Sequence, residues 1–123
     1  MTKLTIAMEN SLLTFESSKT GWKKVYESLK GTHPQYVTFD PNNPNHIYYG
    51  TFGNGLWKTT NDGETWNNIG INSISSKDVM SVSITDPQEG KENNNSNTSS
   101  TIYVGTEPTA IYRSDDGGES CRK

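Results

Sequence analysis

The segment HIYYGTFGNGLWKTTNDGETW (46–66) aligns without gaps to TIYVGTEPTAIYRSDDGGESC (101–121). Ile47, Tyr48, Gly50, Thr51, Gly63 and Glu64 meet Ile102, Tyr103, Gly105, Thr106, Gly118 and Glu119. Leu56-Trp57-Lys58-Thr59 meets Ile111-Tyr112-Arg113-Ser114, a conservative change at each position. A repeat of this length is one supersecondary unit that cannot bury its apolar face alone, so neighbouring copies must stack. The repeat therefore constrains architecture before any single residue is weighed.

A third, degenerate copy lies at the N-terminal end. Trp22 precedes Trp66 by 44 residues, and the same shift matches Leu12 to Leu56 and Val25 to Ile69. At the turn the match fails, with Ser17 for Asn61, Lys19 for Gly63 and Gly21 for Thr65. The spacing from Gly63 to Gly118 is 55 residues, and the polar stretch Gln88–Ser100 accounts for the excess. Its Asn, Ser and Gly content offers nothing to bury, which predicts a surface insertion.

The rest of the chain reads as short strands. Leu4–Ala7, Leu12–Phe15 and Trp22–Tyr26 form one group; Tyr36–Phe39, Ile47–Gly50, Leu56–Lys58 and Trp66–Ile69 a second; Val79–Ile84, Ile102–Gly105 and Ile111–Arg113 a third. Val79-Met80-Ser81-Val82-Ser83-Ile84 alternates with one apolar face. Trp22 to Leu29 also fits an amphipathic helix, but the repeat alignment favours a strand. The run from Asp40 to Asn45 is made of residues that preset or tolerate turn geometry, and Gly53-Asn54-Gly55 is a hairpin turn signal. Apolar residues are only 29% of the chain and glycine is plentiful, with 11 residues, as many short strands and tight turns require.

The turn segments resemble a known family. Ser/Thr-x-Asp-x-Gly-x-Thr/Ser-Trp is the Asp box, or BNR repeat, of β-propellers found in sialidases, sortilin-type receptors, xyloglucan hydrolases and photosystem II assembly factors. The first copy (59–66) has Thr59, Asn61 for Asp, Gly63, Thr65 and Trp66; the second (114–121) has Ser114, Asp116, Gly118, Ser120 and Cys121 for Trp. The resemblance implies an all-β fold, a partial β-propeller of about two to three four-stranded antiparallel blades. Residues 1–123 then form a single partial propeller: a degenerate blade (1–30), a complete blade (31–74) and an incomplete blade (75–123) that contains the insertion 88–100. The strand groups leave the first blade without its first strand and the last without its fourth. Such an open arc exposes a sheet edge and blade faces. A truncated reading frame or one piece of a larger propeller is expected, with self-association through the open edges or a completing chain as its partner.

The resemblance also implies roles. An Asp-box turn joins a blade's third and fourth strands. The Asp or Asn side chain accepts backbone N–H bonds, the Ser or Thr hydroxyl adds a local bond, Gly takes an angle a Cβ disfavours, and Trp packs on the blade. Asn61 and Asp116 are therefore expected to be structural, and Trp22 and Trp66 to stabilise their blades. A sialidase would need an arginine triad, a Tyr–Glu nucleophile pair and an Asp acid/base, whereas this chain has only Arg113 and Arg122. Any glycosidase pair of carboxylates, about 5–10 Å apart, must come from loops on the face away from the boxes: Met8–Ser11, Phe52–Asn54 and Glu107–Thr109, with Ile71–Lys77 and Gly31–Pro34 between blades. Glu9 and Glu107 are the carboxylates in the first three, on blades one and three. No catalytic residue follows. The expectation is a structural module or a protein- or carbohydrate-binding module; the alternative is an inactive remnant of a glycoside-hydrolase propeller.

Other chemistries lack their residues. His33 and His46 have no Cys or carboxylate spaced to join them on a metal. Cys121 stands at a packing position rather than beside a base, and as a single cysteine it forms no internal disulfide. Gly53-Asn54-Gly55 opens no helix, so no phosphate loop is present. Trp57, Tyr48, Tyr49 and Tyr112 alternate along strands and read as packing residues rather than a sugar platform. No cofactor is expected. The net charge of −3 without a basic cluster lacks the footprint of nucleic-acid binding. No apolar run reaches the ~18–20 residues of a membrane span. Glu9 and Asn10 interrupt the N-terminal apolar stretch, so it does not read as a signal peptide, and a cytoplasmic location is expected. Asn94-Asn95-Ser96 and Asn97-Thr98-Ser99 match glycosylation acceptors, a pattern without meaning unless the chain is secreted.

Overall fold

A computed structural model describes residues 2–28, 30–85 and 100–123. Among them the regular structure is all β, in ten strands: β1 (Lys3–Ala7), β2 (Leu12–Ser18), β3 (Gly21–Ser28), β4 (Pro34–Asp40), β5 (Asn43–Thr51), β6 (Leu56–Thr59), β7 (Asn67–Ile69), β8 (Val79–Thr85), β9 (Thr101–Thr106) and β10 (Ala110–Ser114). They form three antiparallel sheets, β1-β2-β3, β4-β5-β6-β7 and β8-β9-β10. The arrangement is partial and propeller-like, with no closed barrel. The segment from Trp22 is a strand, as the repeat alignment expects. Most of the 88–100 insertion, with both acceptor patterns, lies outside the described residues.

The central sheet is packed on both sides, and the alternation of β5 shows why. Side chains alternate across a strand, yet Tyr48 and Tyr49 are both buried. Tyr48 joins Leu56, Val79, Val82, Ile102, Val104 and Tyr112 in a cluster shared with the third sheet. Tyr49 points the other way, its ring 5.8 Å from that of Trp66 and its hydroxyl 2.6 Å from Thr32 Oγ1 in the link from the first sheet. Burial pushes both phenols above their ordinary pKa, so each remains a neutral packing group. Gly50 lets the sheets approach: a Cβ there would fall 2.8 Å from Val79 Cγ1.

Polar clamps complete the stacking. Asp40, buried at the end of β4, accepts bonds from Asn42 N at 2.9 Å and Ser100 Oγ at 2.8 Å, tying the β4–β5 turn to the entry of β9. At the other end, Gly53 N and Gly55 N both donate to Lys77 O (3.0 and 2.9 Å), and Phe52 N donates to His33 O (2.8 Å). The β5–β6 hairpin is thus held by the links on either side of its sheet.

Three expectations need correction. Trp22 does not pack on its blade; it is exposed. As the failed match at the turn implies, the degenerate copy makes no box turn: Ser18 pairs with Gly21 and leaves a two-residue hairpin. The alternation of β8 breaks at a bulge between Val79 and Ser81, which sends Val79 into the core and turns Met80 outward. The third sheet is not wholly without a fourth strand: Arg122 and Arg113 exchange both backbone bonds, at 2.7 and 2.9 Å.

Candidate functional site

The two repeated turns fold alike, hydrogen bond for hydrogen bond. In the first, the buried Thr59 hydroxyl accepts from Asn61 N (3.2 Å) and Gly63 N (3.0 Å) and donates to Asn61 Oδ1 (2.7 Å). Asn61 Oδ1 also accepts from Thr65 N at 3.0 Å, and Asn61 Nδ2 donates to Thr65 Oγ1 at 2.9 Å. In the second, Ser114 Oγ accepts from Asp116 N (3.4 Å) and Gly118 N (2.9 Å) and donates to Asp116 Oδ1 (2.8 Å). Asp116 then accepts from Ser120 N at 3.0 Å and Ser120 Oγ at 2.6 Å. The positive φ of Gly63 (96°) and Gly118 (93°) explains the glycine in each copy. The Thr or Ser is buried and fully bonded, so its role is to satisfy backbone donors the turn leaves open.

The carboxylate and carboxamide versions differ in the direction of one side-chain bond, which Asn61 donates to Thr65 but Ser120 donates to Asp116, and in their response to acid. Bonds from Ser120, side chain first, then backbone, and from Ser114 hold Asp116 down to about 2 from an ordinary 3.8. A depressed folded pKa contributes stability that is present above 3.8 and lost as pH falls through about 2. Asn61 does not titrate. Between these limits the Ser120 amide is expected to lose protection, relative to its intrinsic exchange rate, while the Thr65 amide does not. Amide exchange read by NMR checks this, and parallel loss at both amides would refute it.

The residue that closes each turn also differs. Trp66 lies over Gly63, its Cζ2 3.8 Å from where a Cβ would stand, and its buried Nε1 has no hydrogen-bond partner. Cys121 takes the matching place in the second turn and packs against the shared cluster. Burial, then the charge of Asp116, pushes its thiol above the ordinary value. A thiol held protonated is a poor nucleophile.

Lys58 is a residue the sequence did not single out. Its Nζ donates to Gly117 O at 2.9 Å and sits 5.3 Å from the centre of the Tyr48 ring. Burial lowers its pKa, against the opposing pull of Asp40, Glu119 and Asp116. It therefore fastens the second turn to the central sheet. On the other side, Ser28 Oγ donates to Gly63 O at 3.4 Å and Lys3 pairs with Asp62 at 3.3 Å, so the first turn is fastened to the first sheet. Conservative exchange of Lys58 with Arg113 was the available signal, though it does not reveal a partner.

The hairpins β1–β2, β5–β6 and β9–β10 all lie at the end of the sheets opposite these turns. Glu9 and Glu107 are exposed on the first and last of them, and the central sheet stands between them. They are not brought together as a pair. His33 supplies a backbone carbonyl, and burial, then Lys58, holds His46 below the ordinary imidazole range. Among the described residues no group of three or more His, Cys, Asp or Glu side chains could hold a metal ion. A cleft of about 570 Å³ opens between β1 and β4, lined in part by Leu4, Val37, Phe39 and Ile47. No helix among the described residues is long and apolar enough to cross a membrane.

These features define an all-β chain of stacked antiparallel sheets with two matching polar turns. Two sequences of Xyloglucanase Xgh74A from Acetivibrio thermocellus are each 33% identical to it over 96 residues, covering 67% of the chain. The chain spans 11% of the length of these relatives. No known protein-family profile matches the chain.

Proposed function

We propose that the chain is a non-catalytic segment of an Asp-box β-propeller, a structural module that presents its hairpin loops to a carbohydrate or protein ligand. The observation that supports this most is the closure of both turns on themselves. Thr59, Asn61, Thr65, Ser114, Asp116 and Ser120 spend their polar atoms on one another and on the turn backbone. Groups so engaged hold structure rather than move protons. The separation of Glu9 from Glu107 by the central sheet argues in the same direction, because glycoside hydrolysis uses two carboxylates facing one bond.

A second reading is favoured by the similarity to a xyloglucanase. In it the chain is a remnant of a glycoside-hydrolase propeller, inactive alone. One experiment tests the binding module: titrate the labelled chain with xyloglucan oligosaccharides, follow amide shifts, and assay the same samples for new reducing ends, which neither reading expects. Shifts confined to the hairpins at 8–11, 52–55 and 107–109 without hydrolysis are the expected result. New reducing ends would overturn the non-catalytic assignment, and an unperturbed spectrum would exclude xyloglucan as the ligand.

A further inference from the structure

The third sheet carries, on its open side, a copy of the surface that the central sheet uses to hold a neighbour. On the central sheet that surface is Tyr48 paired with Lys58 and Gly50 paired with Leu56. Tyr48 and Leu56 enter the cluster shared with the third sheet, Val79 seats on Gly50, and Lys58 reaches the Gly117 carbonyl. On the third sheet, Tyr103 pairs with Arg113 and Gly105 with Ile111 in the same register. The cation again lies over the ring, Arg113 at 5.9 Å from the Tyr103 centroid. Yet here Ile111 is 66% exposed and Tyr103 37%.

The first sheet carries the complementary surface, also open. Leu12 and Thr14 of β2 are buried, and Thr14 Oγ1 lies beside Gly63, so this side faces the central sheet. Alternation puts Leu4, Ile6, Leu13 and Phe15 on the opposite side, paired Leu4 with Phe15 and Ile6 with Leu13. That register matches Ile47 with Thr59 and Tyr49 with Trp57, the side the central sheet turns toward the first. Trp22 pairs with Ser17 on this same open side, as Trp66 lies beside Tyr49. Trp22 (56%) and Leu4 (46%) are exposed on it, Leu4 at the edge strand β1, where it also rims the cleft toward β4; a neighbouring sheet would cover them. Contiguous apolar surface of this kind marks an interaction site.

We infer that the open side of the first sheet of one copy docks on the open side of the third sheet of a second copy, and that two such contacts close a ring of two chains. Each molecule bears both halves of one head-to-tail contact, which forms a closed ring when the rotation per contact closes. For the 123-residue chain taken by itself, two copies of its three described sheets give six blades, within the roughly 4–8 of known propellers. The Tyr103–Arg113 and Gly105–Ile111 surface receives Leu4, Ile6, Leu13, Phe15 and Trp22 of the partner copy.

The inference rests on the propeller reading above, and its test does not depend on a ligand. Light scattering on a sizing column is expected to give twice the 13.7 kDa chain mass. Ile111→Glu and Leu4→Glu each change an exposed side chain on one docking surface, and each is expected to give monomer with an unchanged far-UV spectrum. An equimolar mixture of the two variants retains one intact pair of surfaces and is expected to form a two-chain complex that dissociates at least tenfold more readily. Should either glutamate unfold its chain, Ile111→Ser and Leu4→Ser remove the same apolar contact more gently and are read in the same way. A monomeric parent chain at high concentration, a dimer that survives either substitution, or a mixture that stays monomeric would overturn the inference. A monomer whose hairpins still shift with oligosaccharide would sink the ring and leave the module standing.

Discussion

Leu56→Ala is expected to cost the fold about 2–5 kcal/mol, the range for truncating a buried leucine that leaves a cavity. Leu56 is 1% exposed and lies where the central sheet meets the third. The backbone cannot collapse into the gap, because β6 is hydrogen-bonded on both sides, to β5 and β7. A loss of this size is a large share of the ~5–15 kcal/mol that holds an ordinary domain. Chemical denaturation should show a lower midpoint with an unchanged slope. Ile111 supplies the internal control, since it occupies the matching register position but is exposed. Below the concentration at which chains associate, Ile111→Ala should fall within about 0.5 kcal/mol of the parent. Equal losses at the two positions would mean that the sheets do not stack as described.

The stacking was legible in the sequence where the repeat was legible. Apolar alternation and the gapless match of 46–66 to 101–121 place β5, β6, β9 and β10 and the turns that follow them. What escaped has a common cause: a strand's facing is reset by one residue. The 44-residue spacing matches Leu12 to Leu56 but fails across the hairpin, where Ile6 pairs with Leu13 as Tyr49 pairs with Trp57. The loop between Ala7 and Leu12 is one residue shorter than that between Gly50 and Leu56. The bulge in β8 likewise exchanged Val79 for Met80. The alignment of Trp22 with Trp66 puts it on its own blade, but without a box turn to cover it, its side of the sheet has no described neighbour. Lys58 reads as a surface cation in sequence, and only the approach of the third sheet gives it the Gly117 carbonyl.

Thr59→Val is expected to destabilise by about 2–3 kcal/mol, although it keeps the shape of the side chain, because it leaves buried backbone donors without a partner. Thr59 is fully buried, and its hydroxyl accepts from two amides, Asn61 N and Gly63 N, while donating to Asn61 Oδ1. The Gly63 bond is buried and that of Asn61 partly so, which makes the first the larger loss. Water cannot take over at Gly63 without opening the packing of Trp66 against it. Thr59→Ser keeps the hydroxyl and removes one methyl, worth about 0.8 kcal/mol or less. Ser114 already fills this role in the second turn with the same bonds. Denaturation of the two variants side by side decides the matter, and a Thr59→Ser loss as large as that of Thr59→Val would show that the methyl, not the hydroxyl, holds the turn. The hairpins at the far end of the sheets share none of these bonds. If the turns only build the scaffold, Thr59→Val should therefore lower stability while leaving any oligosaccharide shifts at 52–55 and 107–109 unchanged in the folded chain.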